Sequence, residues 1–200
     1  MSKIKKELCK YKHAWPLLYV FIYMPWFILL EKYIPADFPG LHVMHCALDD
    51  IIPFCEWFVI PYLLWFLYIP AIFVFLFYHS KNEFYRLCAY EFTGMTIALL
   101  VCTFYPNGLE LRLSHIGREN ILIDLVHFLY NNDTPTNVCP SLHVFVTVAA
   151  HVCLVKSPHM KELNSRKRIK NISLVLAILI CLSTMFLKQH SVIDVVCGIS

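Results

Sequence analysis

The chain alternates between long apolar runs and short joints that carry charge or proline. Its first run covers residues 14–30, AWPLLYVFIYMPWFILL, with Trp15 and Tyr33 at its borders, where a membrane–water interface collects aromatic rings. Pro25 lies inside it and predicts a kink, which a membrane helix tolerates. The second run covers residues 54–78, with Pro61 and Pro70 as interruptions. Ahead of it, DDIIPF at 49–54 predicts a short interfacial or re-entrant helix start, with a carboxylate at its positive end. Further runs follow at 88–104, 138–155 and 172–187, and a sixth begins near His190 and reaches Ser200. The predicted fold is all-α: one polytopic transmembrane helix bundle over residues 1–200, of about six spans, the last incomplete. VIDVVCGIS is too short for a bilayer crossing of about 20 residues, which predicts an early stop or a cut. There is no internal repeat and no low-complexity segment.

Composition agrees with this pattern. Of 200 residues, 58% are hydrophobic and 16% charged, an apolar share above that of an ordinary soluble domain. A soluble all-helical protein is the weaker reading. The nine cysteines are scattered, several inside apolar runs, where cysteine behaves as a small hydrophobe. No CxxC pair occurs, so neither a disulfide framework nor a zinc pattern is indicated. The N-terminal MSKIKKELCKYK is too polar for a cleaved signal peptide and no A-x-A site follows the first run, which predicts a retained span.

The charges add an orientation. Of 17 Lys and Arg, thirteen fall before the first span, between the second and third, or between the fourth and fifth. Four fall in the alternate loops: Lys32, Arg112, Arg118 and Lys188. The positive-inside rule then predicts a cytoplasmic N-terminus and places the alternate loops outside. CPSLHV (139–144) opens the fourth span from the outer side, and KQHSVIDV (188–195) lies at the outer turn between the fifth and sixth. Topology therefore allows their histidines to meet.

His190 and Asp194 are four apart and share a helix face. A carboxylate beside an imidazole fixes its tautomer and orients the ring, leaving the other nitrogen free as nucleophile or base. The plainer alternative is a pair that caps a helix start. In CPSLHV, Pro140 suits a first helical turn and Ser141 a cap. The free N–H groups of a helix start form an anion seat, and His143 there can give a proton to a departing oxygen. Read alone, this motif is as well explained by an interfacial histidine with no task. Arg112 and Lys188 supply positive charge on the same face, Arg suited to bidentate phosphate binding. Together these residues describe a phosphoryl-transfer site in which histidine attacks phosphorus. This chemistry requires no metal cluster.

These motifs resemble the type 2 phosphatidic acid phosphatase superfamily, whose pattern is K-x6-R-P, then P-S-G-H, then S-R-x5-H-x3-D. Here the second motif is Pro140-Ser141-Leu142-His143, and the third is Ser183-Thr184, five residues, His190, three residues, Asp194. The resemblance runs from about Tyr105 to Asp194, and the six-helix layout extends it loosely to the whole chain. Departures are specific: Tyr105 and Leu113 flank Arg112 in place of Lys and Pro, Leu142 replaces glycine, and Thr184 replaces arginine. PSLH is also similar to the inositol phosphorylceramide synthase branch, lipid phosphotransferases with the same His–His–Asp core. The resemblance implies His190 as nucleophile, Asp194 as its orienting partner and His143 as the acid for the leaving alcohol. It implies Arg112, Ser141 and, standing in for a missing cation, Lys188 as holders of phosphate oxygens. The substrate implied is a lipid phosphate or pyrophosphate whose tails stay among membrane lipids, with no cofactor, no metal and no nucleic acid. A phosphotransferase and a non-catalytic membrane protein are the alternatives, the second favoured by the degraded first motif.

Other polar residues are set aside with plainer roles. HVMHC (42–46) with Asp49 and Asp50 has possible metal ligands but no closed-site spacing, and is expected to shape the outer mouth. Glu56, Glu91 and His151 lie near or within apolar runs, where ionisable groups mark function by default. For His151 an internal hydrogen bond is expected. Asn132-Asp133-Thr134 fits a glycosylation pattern, and RKRIK (166–170) reads as a topology determinant.

Overall fold

The computed structural model describes residues 11–163 and 165–200. Lys3, Lys5, Lys6 and Lys10, which contribute to the charge bias, lie outside the described residues. The chain is all-α, as the apolar runs predict. Helix α1 covers Lys12–Tyr33 and begins as a 3-10 helix over Lys12–Tyr19. The short α2 is Ala47–Ile51. Helices α3 (Glu56–His79) and α4 (Lys81–Phe104) follow, then α5 (Ile121–Asn132), α6 (Leu142–Lys156) and α7 (His159–Glu162). Helices α8 (Arg166–Phe186) and α9 (Val192–Ile199) close the described chain. Two residues each make β1 (His42–Val43) and β2 (Asn107–Gly108), which pair in parallel.

Four helices, α1, α3, α4 and α8, are long and apolar enough to cross a membrane. The expected interruptions do not break them. α1 continues through Pro25, and α3 runs through both Pro61 and Pro70. Pro61 falls in the first α-helical turn, where its missing N–H costs nothing. α3 and α4 are separated by Ser80 alone, whose extended backbone reverses the chain and whose hydroxyl accepts from Glu83 N–H at 3.4 Å.

The fourth and sixth runs do not form helices of that length. α6 has 15 residues, about 22 Å at 1.5 Å per residue, against a hydrocarbon core of about 30 Å. Val138 and Cys139 were counted in that span, but Asn107 Oδ1 takes both of their N–H groups, at 2.9 and 2.8 Å. The segment is thereby kept out of the helix, which starts only after Ser141. α9 has 8 residues.

α6 is the central helix, in contact with α3, α4, α8 and α9, while α1 lies outside against α4. Leu76, Leu87, Ala150, Met160 and Ile180 are fully buried in the half of the bundle nearer the basic connections. At the α4–α6 crossing, a Cβ on Gly94 would come within 2.1 Å of the Phe145 ring. The glycine thus sets how closely these helices approach. At the other end Val59 and Tyr62 of α3 pack with Ile123, Val126 and Leu129 of α5 and with Leu187. α5 lies between the predicted runs 88–104 and 138–155. Asn120 caps it, its Oδ1 accepting from Leu122 and Ile123 N–H, and its buried residues recur every third position, as on one helix face. The outward faces are apolar: Phe21, Leu67, Ile97, Phe104 and Ile172 are all exposed.

Candidate active site

The N-terminus of α9 is the anchor of the site. The chain leaves α8 through a turn in which Lys188 adopts φ 55°. Gln189 and His190 N–H both donate to Thr184 C=O. Ser191 caps α9, its Oγ accepting from Ile193 N–H at 3.1 Å. Asp194 closes the capping box by accepting from Ser191 N–H at 2.9 Å through Oδ2. The same oxygen lies 3.4 Å from His190 Nδ1. The cap and the histidine–carboxylate pair, posed as alternatives by the sequence, are therefore one structure. The 3.4 Å separation is long for a charge-assisted hydrogen bond. Asp194 is fully buried, and among the described residues its Oδ1 has no partner.

Two loops hold this helix start in place. Asp49, at the start of α2, accepts from Ser191 Oγ at 2.6 Å, Val192 N–H at 2.8 Å and Cys46 N–H at 2.8 Å. Burial pushes the Asp49 carboxyl up, but these hydrogen bonds outweigh it and hold its pKa below the ordinary value. On the other side Ser141 N–H donates to Asp194 C=O at 3.0 Å. A Cβ on Gly198 would come within 2.6 Å of Ser141 C=O, so α9 lies directly on the start of α6. Asn107 completes the frame: besides accepting from Val138 and Cys139, it donates through Nδ2 to Tyr105 and Cys139 carbonyls.

His143 is the second residue of α6. Its ring packs against Tyr62 and Trp65 of α3, with centroids 4.8 and 4.7 Å away, and lies 5.8 Å from the His190 ring. Tyr62 and Trp65 are six and nine residues into α3. That sets the histidine pair roughly 9–14 Å along the helix from its start. Both histidines line a cavity of about 660 Å³. Its lining combines apolar side chains, among them Tyr23, Phe27, Phe66 and Phe128, with polar ones, among them Glu31, Asp133, Thr136, Asn137 and Gln189. Leu142, the residue in the glycine position of the second motif, is also in the wall.

The structure thus brings His143, His190 and Asp194 together. It does not bring Arg112, Ser141 or Lys188 to the cavity wall. Arg112 donates to the carbonyls of Tyr130, Asp133 and Thr134 and to Gln189 Oε1, at 2.5–3.2 Å. Lys188 is buried and donates to the Asp49 and Ile52 carbonyls at 2.7 and 2.6 Å. Ser141 is fully buried and accepts from Val144 N–H, which is the capping role expected of it. The cations expected to hold phosphate are instead occupied by backbone oxygens, which fix the loops around the site. Arg112 lies 3.9 Å from Asp133. Burial lowers the arginine's pKa and raises the aspartate's, each partly opposed by the other's charge.

Chain comparisons add no relative. No family model, curated protein or solved structure matches the chain.

The residues set aside fall into place individually. His151 Nδ1 bonds Ser173 Oγ at 2.8 Å, the internal hydrogen bond expected of it. Glu56 meets Arg118 at 3.2 Å and ties the 114–120 segment to α3. His45 pairs with Asp50 at 2.9 Å. Glu91 is buried in α4 away from the cavity, and among the described residues neither carboxylate oxygen has a partner. Sequence reasoning passed over Asn107, Tyr62, Trp65 and Gln189, and read Asp49 as a helix-start carboxylate and possible metal ligand rather than as an acceptor for the start of α9. Asn107 carried a turn signal in YPNG, and Gln189 is the immediate neighbour of His190.

Proposed function

We propose that this protein is a membrane phosphatase that acts on a lipid phosphate or pyrophosphate through a phosphohistidine. The observation that carries the reading is the pairing of His190–Asp194 with His143 at one cavity lined by both apolar and polar side chains. With Nδ1 directed at Asp194, His190 presents Nε2 as nucleophile. Nε2 attacks phosphorus, the phosphorus–oxygen ester bond breaks, and its electron pair leaves with the alcohol oxygen, which takes a proton from His143. Water then gives a proton to His143 as its oxygen attacks phosphorus, the phosphorus–nitrogen bond breaks, and phosphate leaves. The cavity's apolar side chains suit acyl chains and its polar side chains a headgroup. In this reading α6 and the incomplete span begun by α9 join the four long helices in an arrangement of about six spans with a cytoplasmic N-terminus and an extracytoplasmic cavity, supported by the loop charges.

A second reading, transfer of a headgroup phosphate to an alcohol, is favoured by the charge of the cavity. Its lining includes Glu31 and Asp133 and no Lys or Arg. Such a wall favours a singly charged phosphodiester over a doubly charged monoester, and Leu142 makes the wall less hospitable to water. One assay separates the two. Purified protein in detergent is offered lipid phosphates and phosphodiesters, with and without alcohol acceptors. Phosphate release that is lost in His190→Ala supports the phosphatase. Headgroup transfer without phosphate release replaces it with the transferase. No turnover by the parent, or equal turnover by His190→Ala, refutes both.

A further inference from the structure

Two side chains of the cavity lining, Trp65 and Gln189, carry buried N–H donors with no hydrogen-bond partner among the described residues, and Gln189 is the one next to His190 in the chain. Gln189 is 2% exposed and lines the cavity beside the two histidines. Arg112 Nη2 lies 2.5 Å from its side chain. A guanidinium can only donate, so the atom it meets is the amide oxygen, and the NH2 group is turned away from it by chemistry. Among the described residues that Nε2 has no hydrogen-bond partner. Buried donors are almost always paired, so an unpaired one on a cavity wall points to an acceptor brought by a ligand. The cavity's own candidate does not serve: Asn137 Oδ1 is buried and unpartnered too, so the two do not reach each other.

We propose that the Gln189 side-chain amide is the anion-binding donor of this site, its NH2 group donating to a non-bridging phosphoryl oxygen of the group that His190 attacks. The inference rests on the phosphoryl-transfer reading and gives Arg112 a place in it. Arg112 does not touch the phosphate. By donating to Oε1 it fixes which way the amide faces and polarises it, which strengthens the N–H donors. The cationic character that the sequence assigned to Arg112 is passed through a neutral amide, and Gln189 precedes His190 in the chain, so nucleophile and donor move together.

The test uses the full chain in detergent with orthovanadate and inorganic phosphate as probes, and turnover as a second readout. Gln189→Glu keeps an acceptor for Arg112 and removes the NH2 donors. Gln189→Met removes both ends at similar length and serves if the glutamate variant does not fold. His190→Ala is the control for the site itself. The expected result is vanadate binding by the parent, lost in His190→Ala. In either Gln189 variant it weakens about 100-fold, the scale of losing one oxyanion donor, with kcat falling in parallel and helical content unchanged. Vanadate binding within threefold of the parent in both Gln189 variants, with His190→Ala still defective, overturns the role of Gln189 and leaves phosphoryl transfer standing. Neither binding nor turnover in the parent overturns both. Binding that survives equally in all variants shows an anion held elsewhere and overturns the assignment.

Discussion

Removing the Asp49 carboxylate should release the helix that carries His190 and Asp194. Asp49 is 2% exposed and accepts three hydrogen bonds, two of them from the first residues of the α9 segment. Bonds to a charged group contribute about 1.5–3 kcal/mol each and do not add in full. With the N–H groups of Cys46 and Val192 left unpaired, Asp49→Ala should cost about 3–5 kcal/mol. At roughly 2–4 °C per kcal/mol for a chain of this size, the melting temperature should fall by about 10 °C. A thiol-reactive dye can follow unfolding in detergent, because Cys88, Cys102, Cys139 and Cys153 are buried. The pH dependence has a definite sign. The folded pKa of Asp49 lies below the ordinary value, so its contribution is complete above about pH 4, the unfolded carboxylate range. It is lost as pH falls through the folded value. Asp49→Asn should therefore melt earlier at neutral pH and lose part of the acid sensitivity. An Asp49→Ala protein that melts within 2 °C of the parent, with the same acid limb, would refute the idea that this loop holds α9.

Other changes test separate links. Arg112→Met should cost about 3–5 kcal/mol, since it orphans buried carbonyls and frees Gln189, read as a lower melting temperature that Arg112→Lys partly restores. Lys188→Met should show first as lost stability, with early dye labelling of Cys46 and Cys55, because its ammonium holds the 49–52 loop. Gly94→Ala should cost roughly 1–3 kcal/mol by overpacking, and Phe145→Leu should relieve it in the double variant. His190→Ala should abolish both turnover and any acid-labile phosphoenzyme, measured with a labelled donor.

How legible the site was depends on the range of the interactions. His190 and Asp194 could be paired from spacing because four residues on a helix are neighbours wherever that helix sits. Ser141 could be recognised as a cap because capping is also local. Arg112 and Lys188 were read as cations on the site's side of the chain, and their partners were not foreseeable. Those partners are carbonyls at Asp133, Thr134, Asp49 and Ile52, and every residue has a carbonyl. Asp49 and Asn107 act across long stretches of chain for the same reason. The length of α6 was misjudged because apolar character persists through Val138 and Cys139 while Asn107 takes their backbone donors.

The sequence by itself determined the apolar helical bundle, the clustering of basic residues at alternate joints, and the histidine–aspartate pair. These follow from composition and from periodicities of a few residues. Tertiary structure alone decided that His143 and His190 come to 5.8 Å between ring centroids, that Arg112 and Lys188 face backbone oxygens, and that Gln189 lines the cavity, which neither of them does. A side chain's type limits what it can bind, but which partner it meets is set by how helices far apart in the chain pack together.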